Sequence, residues 1–463
     1  MNKRILFTLS LLVSIGSFLM ACAAEPEVIT KEVVVTQEVV VTKEVQVIVP
    51  ETVEVVVTKM VEAQAPEAAT PEPPAPEPVT INFWYAVGGS SGKLLQAMIN
   101  EFNATNPYAI TVDATYSGSY GETAQKVVAG LESGELPDGG LIPAGPLWTC
   151  REGNLLIEGY LNGPEGLNTD DYWPVLWDYN RYEGHICSLP FNNSTMVMYY
   201  NKDLMTQAGL DPEAPPQNWD ELVRQARAVV DAVPGTIGVE VRDEGWWLKA
   251  LILQNGGQIM NEDSTAPAFV SEAGYGAMEF WKQLIDDGLM PPAQHGDSRD
   301  LFLAGRVAFW MSSTGNIGTV KNGAQFAWNT AFLPGKVQRG STVGGAALVM
   351  FPKDQAHELA TWRFLKWLLS PDNSVTWTVG TGYVPILKSA AESAELQVLF
   401  ADEPYYAPGF EQLEFASQYP HFWEMGTLDN LLADAIEQVE LSGLSPQEAL
   451  DKAAADLTAE MSN

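Results

Sequence analysis

Basic residues are scarce in this chain of 463 residues: 25 Lys and Arg stand against 59 Asp and Glu, a formal net charge of −34. Nucleic-acid binding depends on clustered basic groups that displace counterions, so that class is excluded. The surplus of negative charge also disfavours long-range attraction of anionic ligands. Histidine is scarcer still. His185, His295, His357 and His421 are far apart, and His357-Glu358 lacks the second histidine of a metalloprotease helix. The three cysteines do not cluster, and there is neither a nucleophile elbow nor a cysteine–histidine motif. Gly88–Lys93 is not a phosphate loop, because Val87 stands where the first glycine belongs and Leu94 where Ser or Thr belongs. Only carboxylates are abundant, so a glycosidase pair is not excluded by counting, although solvated surface is the commoner use of Asp and Glu. Beyond the first residues, no apolar run is long enough to suggest a membrane span.

The N-terminus carries a targeting pattern. Lys3 and Arg4 precede the short apolar run Ile5–Phe18. That run suits a signal h-region better than a span. It ends in Leu19-Met20-Ala21-Cys22, which resembles a bacterial lipobox. The expected outcome is cleavage before Cys22 and lipidation of its sulfur, which places the mature protein outside the cytoplasm and anchors it to the membrane. Residues 23–80 follow as a stalk. Glu-Val-Val-Val-Thr begins at Glu32, Glu38 and Glu54, with the variant Glu-Val-Gln-Val-Ile at Glu44. Ala65–Pro78 is rich in Pro, Ala and Glu, a composition that favours extended, semi-rigid chain. The stalk reads as a flexible tether, with a structured oligomerisation stalk as the alternative.

The globular part begins near Ile81. Ile81–Ala86 and Ile110–Tyr116 read as strands, and Lys93–Thr105 and Glu122–Glu132 as helices. Strand and helix alternating in this way predict a parallel sheet covered by helices. Further helices are expected at Trp219–Val233, Trp246–Gln254, Glu272–Asp287, Asp354–Leu369, Asn430–Leu441 and Pro446–Met461. Ligands of open α/β sheets bind beyond the carboxyl ends of the strands. The loops there, Val87–Gly92 and Ser117–Gly121, are rich in Gly and Ser. Aromatic candidates for a cleft are Tyr120, Trp148, Trp246, Trp247, Trp310, Tyr383 and Trp423. Their rings suit the C–H faces of a sugar, while Ser, Asn and backbone amides serve its hydroxyls. For any single tryptophan, core packing is the competing role.

Pro190–Leu204 is the central stretch. The polar run Asn192–Thr195 can bond a ligand, Met196–Tyr200 reads as a buried strand, and Asn201-Lys202-Asp203 can cap a helix. Two readings fit: a chain crossing between lobes that lines a cleft, or an ordinary core strand after a polar turn. Pro190–Leu222 as a whole contains Asn-Lys-Asp-Leu, Ala208-Gly209-Leu210-Asp211-Pro212 and Pro215-Pro216-Gln217-Asn218-Trp219. With Ala308–Gly315, Val343-Gly344-Gly345-Ala346-Ala347 and Thr381-Gly382-Tyr383-Val384-Pro385, it resembles the family 1 extracellular solute-binding proteins of bacterial ABC importers. Within that family the motifs are similar to those of the glycerol-3-phosphate-binding members.

The resemblance implies an α/β fold of the type II periplasmic-binding class, two lobes with a cleft between them. Crossings would fall near Asn192, Gly345 and Pro385. One lobe would hold residues 81–192 and 346–385, the other 193–345 and 386–463. It implies ligand contacts at Tyr120, Ser194, Trp246, Ser313, Gly345 and Tyr383. It also implies a small-molecule ligand, a membrane ABC permease as partner, no cofactor, no metal, no catalysed reaction and a monomer. Two positions depart from the pattern: a family glutamate falls at about Ala144, and the phosphate-binding arginine falls near Phe422-Trp423, where no basic residue stands. The loss of the arginine and the gain of a ring at Trp423 favour a neutral sugar. A glycerol phosphate or phosphodiester is the alternative ligand. A surface-anchored glycan hydrolase and an adhesive or sensory lipoprotein are the alternatives outside the class. Cys150 and Cys187 flank the segment that leads into the first crossing. Outside the cytoplasm both a bridge and two separate buried thiols are open to them.

Overall fold

The computed structural model describes residues 76–143, 148–150, 155–292, 298–417 and 425–462. The expectations for Cys22, the stalk before residue 76, Ala144, Phe422 and Trp423 lie outside the described residues.

In chain order, β1 (Val79–Tyr85) leads into α1 (Gly89–Thr105), β2 (Ile110–Tyr116) into α2 (Tyr120–Ser133), and β3 (Gly139–Pro143) follows. β4 (Leu189–Ser194) and β5 (Met196–Asn201) are separated by Thr195 alone. Next come α3 (Lys202–Gln207), α4 (Trp219–Ala232), β6 (Ile237–Glu240), α5 (Gly245–Gln254) and α6 (Glu272–Asp286). The chain continues with β7 (Val307–Ser313), β8 (Trp328–Ala331), β9 (Gly344–Met350), α7 (Gln355–Leu368) and α8 (Pro371–Thr381). Helices α9 (Met425–Leu441) and α10 (Pro446–Glu460) close it.

Two larger sheets result among the described residues, each the centre of one lobe, beside two two-stranded ones. The first has the order β2-β1-β3-β9-β4, the second β8-β5-β7-β6. β1 pairs in parallel with β2 from Val79↔Ile110 to Tyr85↔Tyr116, and in parallel with β3. The alternating β-α pattern of residues 79–143 therefore behaves as expected. β9 runs antiparallel to both β3 and β4, so the sheet is mixed. The physical reason is direction of entry: β9 comes back from the second sheet instead of crossing over through a helix on the first.

Local chemistry sets the element ends. Ser119 and Glu122 form a reciprocal capping box at the start of α2, and Gly134 ends it in the left-handed region at φ 79°. The Asn201 side chain accepts from Leu204 N at 3.0 Å and starts α3. The amphipathic face of α4 buries Trp219, Leu222, Ala226 and Val229 against the second sheet. α9 and α10 pack there too, through Leu432, Ile436, Leu450 and Leu457. α1 and α7 cover the first sheet with Leu95, Ile99, Phe102, Trp362, Phe364 and Leu365. Ile386, Leu387, Ala390 and Leu396, beyond Pro385, belong to this same first core. Cys150 and Cys187 are joined as a disulfide, with their Cα atoms 5.4 Å apart.

Candidate functional site

The polar run of Pro190–Leu204 is wholly buried: Asn192, Asn193, Ser194 and Thr195 are each at most 3% exposed. Buried polar groups cost free energy unless bonded; the backbone of this run braces neighbouring segments, whereas Asn192 Oδ1 and both polar side-chain atoms of Asn193 have no partner among the described residues. Val384 N donates to Asn193 O at 3.0 Å, and Thr314 N to Thr195 O at 3.0 Å. Gly345 is held at φ 116°, where a Cβ would lie 1.8 Å from Asn192 O. Only glycine fits that backbone and that approach. The backbone near Asn192, Gly345 and Val384 thus meets in one place, although the chain stays in the first core beyond Pro385 instead of crossing there.

Around them lies a cleft of about 920 Å³. From the first sheet come the loops after β1 and β2 and the end of β3: residues 86–91, Ser119 to Gly121, and Pro143. These are the carboxyl ends of parallel strands, where ligand sites of α/β sheets form. From the second sheet come Arg242, Glu244, Trp246, Lys249, Ser313 and Asn316. Tyr120, Ser194, Trp246, Ser313, Gly345 and Tyr383 all line this one cleft. Trp423, the remaining candidate contact, lies outside the described residues. The other aromatic candidates are placed differently. Trp148 is half-buried and donates to Pro143 O at 2.9 Å, but is not itself among the residues that line the cleft. Trp247 and Trp310 are buried behind its second-sheet wall.

Tyrosine hydroxyls form the floor. Asn192 Nδ2 donates to Tyr120 Oη at 3.1 Å, and the Tyr120 and Tyr383 hydroxyls bond each other. Tyr179 Oη donates to Gly345 O at 3.2 Å. Burial holds the Tyr120 hydroxyl well above the usual phenol range, and neighbouring Tyr383 and Tyr179 add to the shift. Burial raises Tyr383 as well. Both are therefore neutral groups at pH 7, able to donate and accept. The side chain of Trp246 packs on Gly344, where a Cβ would sit 2.7 Å from the indole. Two helices, α1 and α5, begin at the cleft without a side-chain cap at Gly88 and Glu244. Their first N–H groups are donors for a ligand oxygen.

Charges are present in pairs. Arg242 binds Glu244 at 2.7 Å, and the buried Lys249 binds Asp429 of α9. Arg299, also at the rim, lies 3.4 Å from Asp300. Burial raises the Glu244 carboxyl above its ordinary value, with Arg242 opposing the rise. Lys249 and Asp429 went unnoticed in the sequence. Lys249 had a signal, since it lies one turn after Trp246 on the same helix face. Asp429 and Arg299 had none, because only folding brings their elements to the cleft. Among the described residues, no group of three His, Cys, Asp or Glu side chains is arranged to hold a metal.

A cleft between two α/β lobes, lined by aromatic, neutral polar and paired charged groups, is the architecture of an extracytoplasmic solute-binding protein. Residues 97–404 match the bacterial extracellular solute-binding protein family, and the chain belongs to it. It is the solute-binding component of an ABC importer. It is 27% identical over 399 residues to the sn-glycerol-3-phosphate-binding periplasmic protein UgpB of Escherichia coli K12, covering 81% of this chain and 90% of the relative. The cyclic α-maltosyl-1,6-maltose binding protein of Arthrobacter globiformis is similar in structure, with a TM-score of 0.72, 25% identity, and coverage of 83% of this chain and 99% of that one. UgpB of Mycobacterium tuberculosis, solved with glycerophosphocholine, shares the fold at a TM-score of 0.74 and 23% identity, covering 83% and 98%.

Proposed function

We propose that the protein captures a neutral carbohydrate in this cleft and hands it to a membrane ABC permease, without catalysing a reaction. One observation carries the reading: among the described residues, each Lys or Arg that lines the cleft stands beside a carboxylate, Arg242 with Glu244, Lys249 with Asp429, and Arg299 with Asp300. An anionic ligand would have to break such a pair and leave a carboxylate partly desolvated, which is costly. A sugar hydroxyl instead accepts from the cation and donates to the carboxylate while the pair stays whole. Trp246 supplies a face for the ring, and Tyr120, Ser194, Ser313, Gly345 and Tyr383 supply hydroxyls and backbone groups. Trp423 is assigned to the same role on sequence grounds. Calorimetry with a panel of mono- and disaccharides tests the reading. Heat from a neutral sugar, with none from glycerol-3-phosphate, is the expected result.

A glycerol phosphate or phosphodiester is the second reading. It is favoured by the presence of Arg242, Lys249 and Arg299 at the cleft and by the ligands named for the two UgpB relatives. Tight binding of glycerol-3-phosphate with no response to any sugar would decide for it.

Cys22 carries a lipid anchor, residues 23–80 tether a monomeric binding unit off the membrane, and the unit works outside the cytoplasm. The first lobe comprises residues 81–192 and 346–385, extended to about Leu396 on the strength of the core contacts of Ile386, Leu387, Ala390 and Leu396. The second comprises residues 193–345 and the C-terminal helices.

A further inference from the structure

The Cys150–Cys187 disulfide is buried, and each of its ends is braced toward the cleft by a separate route. On one side Thr149 Oγ1 donates to Cys187 O, and Trp148 Nε1 donates to Pro143 O at 2.9 Å. Pro143 lines the cleft at the end of β3 and stands opposite Ala346 of β9. On the other side Cys187 N donates to Asn180 O at 3.0 Å, and Ser188 Oγ donates to Asn180 Oδ1 at 2.5 Å. Asn180 is fully buried, and its Nδ2 donates to Leu176 O at 2.6 Å, within the short helix Pro174–Tyr179 that it ends. Tyr179, the last residue of that helix, lines the cleft and donates to Gly345 O at 3.2 Å. The two routes therefore end on neighbouring residues, Gly345 and Ala346, where the chain enters β9. Tyr179 also faces the opposite wall. Burial holds its hydroxyl well above the usual phenol range, and the Asp429 carboxylate of α9 adds to the shift. No motif pointed to this residue.

We propose that the Cys150–Cys187 bridge is a clamp on the cleft floor, and that it sets ligand affinity by positioning Tyr179 against Gly345. The bridge touches no ligand and acts through other residues. It ties the turn at residues 180–188 to the segment after β3, so the Tyr179 hydroxyl meets Gly345 O before the ligand arrives. Binding then carries no cost of ordering that contact. Tyr179 is thereby a further affinity-determining residue of the site. The inference rests on the cleft as the binding site and is independent of the ligand's class.

Hydrogen exchange and calorimetry on the mature full-length chain test it. In the double variant Cys150→Ala/Cys187→Ala, amide exchange at residues 343–347 is expected to rise about tenfold, while β1 and β2 in the same sheet stay within about threefold of the parent. Tyr179→Phe is expected to raise exchange at 343–347 alone and to add little in the double-alanine background, because clamp and hydroxyl act on one contact. Calorimetry follows the same cycle with maltose and glycerol-3-phosphate as probes. For the probe that binds, each change is expected to weaken affinity about fivefold, and the two together by clearly less than the product. Where neither probe binds, the exchange pattern decides. Ser188→Ala cuts the Cys187 route with the disulfide intact; it is expected to give the same pattern and serves where the double variant does not fold. Exchange that rises equally through β1 and β2, affinity unchanged by the loss of the bridge, or fully multiplicative effects overturn the clamp. Binding of glycerol-3-phosphate with no sugar response removes the carbohydrate reading and leaves the clamp to its own result.

Discussion

Glu240→Gln should stabilise the protein, and by an amount that grows with pH. Glu240 ends β6 and is fully buried, and neither carboxyl oxygen has a hydrogen-bond partner among the described residues. Burial pushes its pKa up to about 8, and the nearby carboxylates of Asp243 and Glu440 push in the same direction. Glu440 lies on α9, where it accepts from Trp281 Nε1 at 2.6 Å. In the unfolded chain a glutamate titrates near 4.3. Below that pH both states hold the proton, and Glu240 costs nothing through titration. Between about 4.3 and 8 the unfolded chain releases the proton and the folded one keeps it. Stability is then lost at about 1.4 kcal/mol per pH unit. Above 8 the loss levels off at about 5 kcal/mol, the product of the two pKa values' separation and that slope. A glutamine mimics the neutral acid and does not titrate. The difference between Glu240→Gln and the parent should therefore be about 1 kcal/mol at pH 5 and about 5 kcal/mol at pH 9. Urea denaturation of both proteins at the two pH values reads it directly, since groups not coupled to Glu240 cancel in the subtraction. A difference that is the same at pH 5 and pH 9, or a variant less stable than the parent at pH 9, would refute the reasoning.

Trp246→Ala and Trp423→Ala should each weaken sugar binding several-fold or more in calorimetry, because burying an aromatic face is worth roughly 1.5–3 kcal/mol; unchanged affinity in both would remove the stacking argument. Ligand binding should close the lobes and shrink the radius of gyration in solution scattering, the kind of hinge motion for which binding proteins are a standard example; superimposable curves with and without a confirmed ligand would count against it. Intact-mass measurement after thiol labelling should find Cys150 and Cys187 unreactive until reductant is added, and two labels before reduction would exclude the bridge. Cys22→Ser should release the protein from membranes or block its processing, and a mutant that stays membrane-bound after normal processing would sink the lipid anchor.

Periodicity and punctuation carried far along this chain. The capping box at Ser119 and Glu122, the cap at Asn201 and the apolar face of α4 are local, so the helices and strands they start could be read directly from residue order. Pro190–Leu204 announced a polar run, a buried strand and a helix start, and the structure contains all three. Helix α8 went unnoticed because its buried face mixes Asn373, Ser374, Thr378 and Thr381 with apolar residues, which blurs the helical period. The antiparallel entry of β9 was invisible for a different reason: strand direction depends on where the chain has been, which no local window records.

The same division holds at the cleft. The order of the motifs, through their resemblance to the family, gave the class of protein, and it pointed to Tyr120, Ser194, Trp246, Ser313, Gly345 and Tyr383, which lie on six separate segments of the chain. Tertiary structure alone decided that these six share one cavity. It also decided that the Lys249 charge is matched by Asp429, 180 residues further on. Charge pairing and cavity shape arise from contacts between elements distant in sequence. Their energies depend on separation and burial in space, quantities that residue order does not contain.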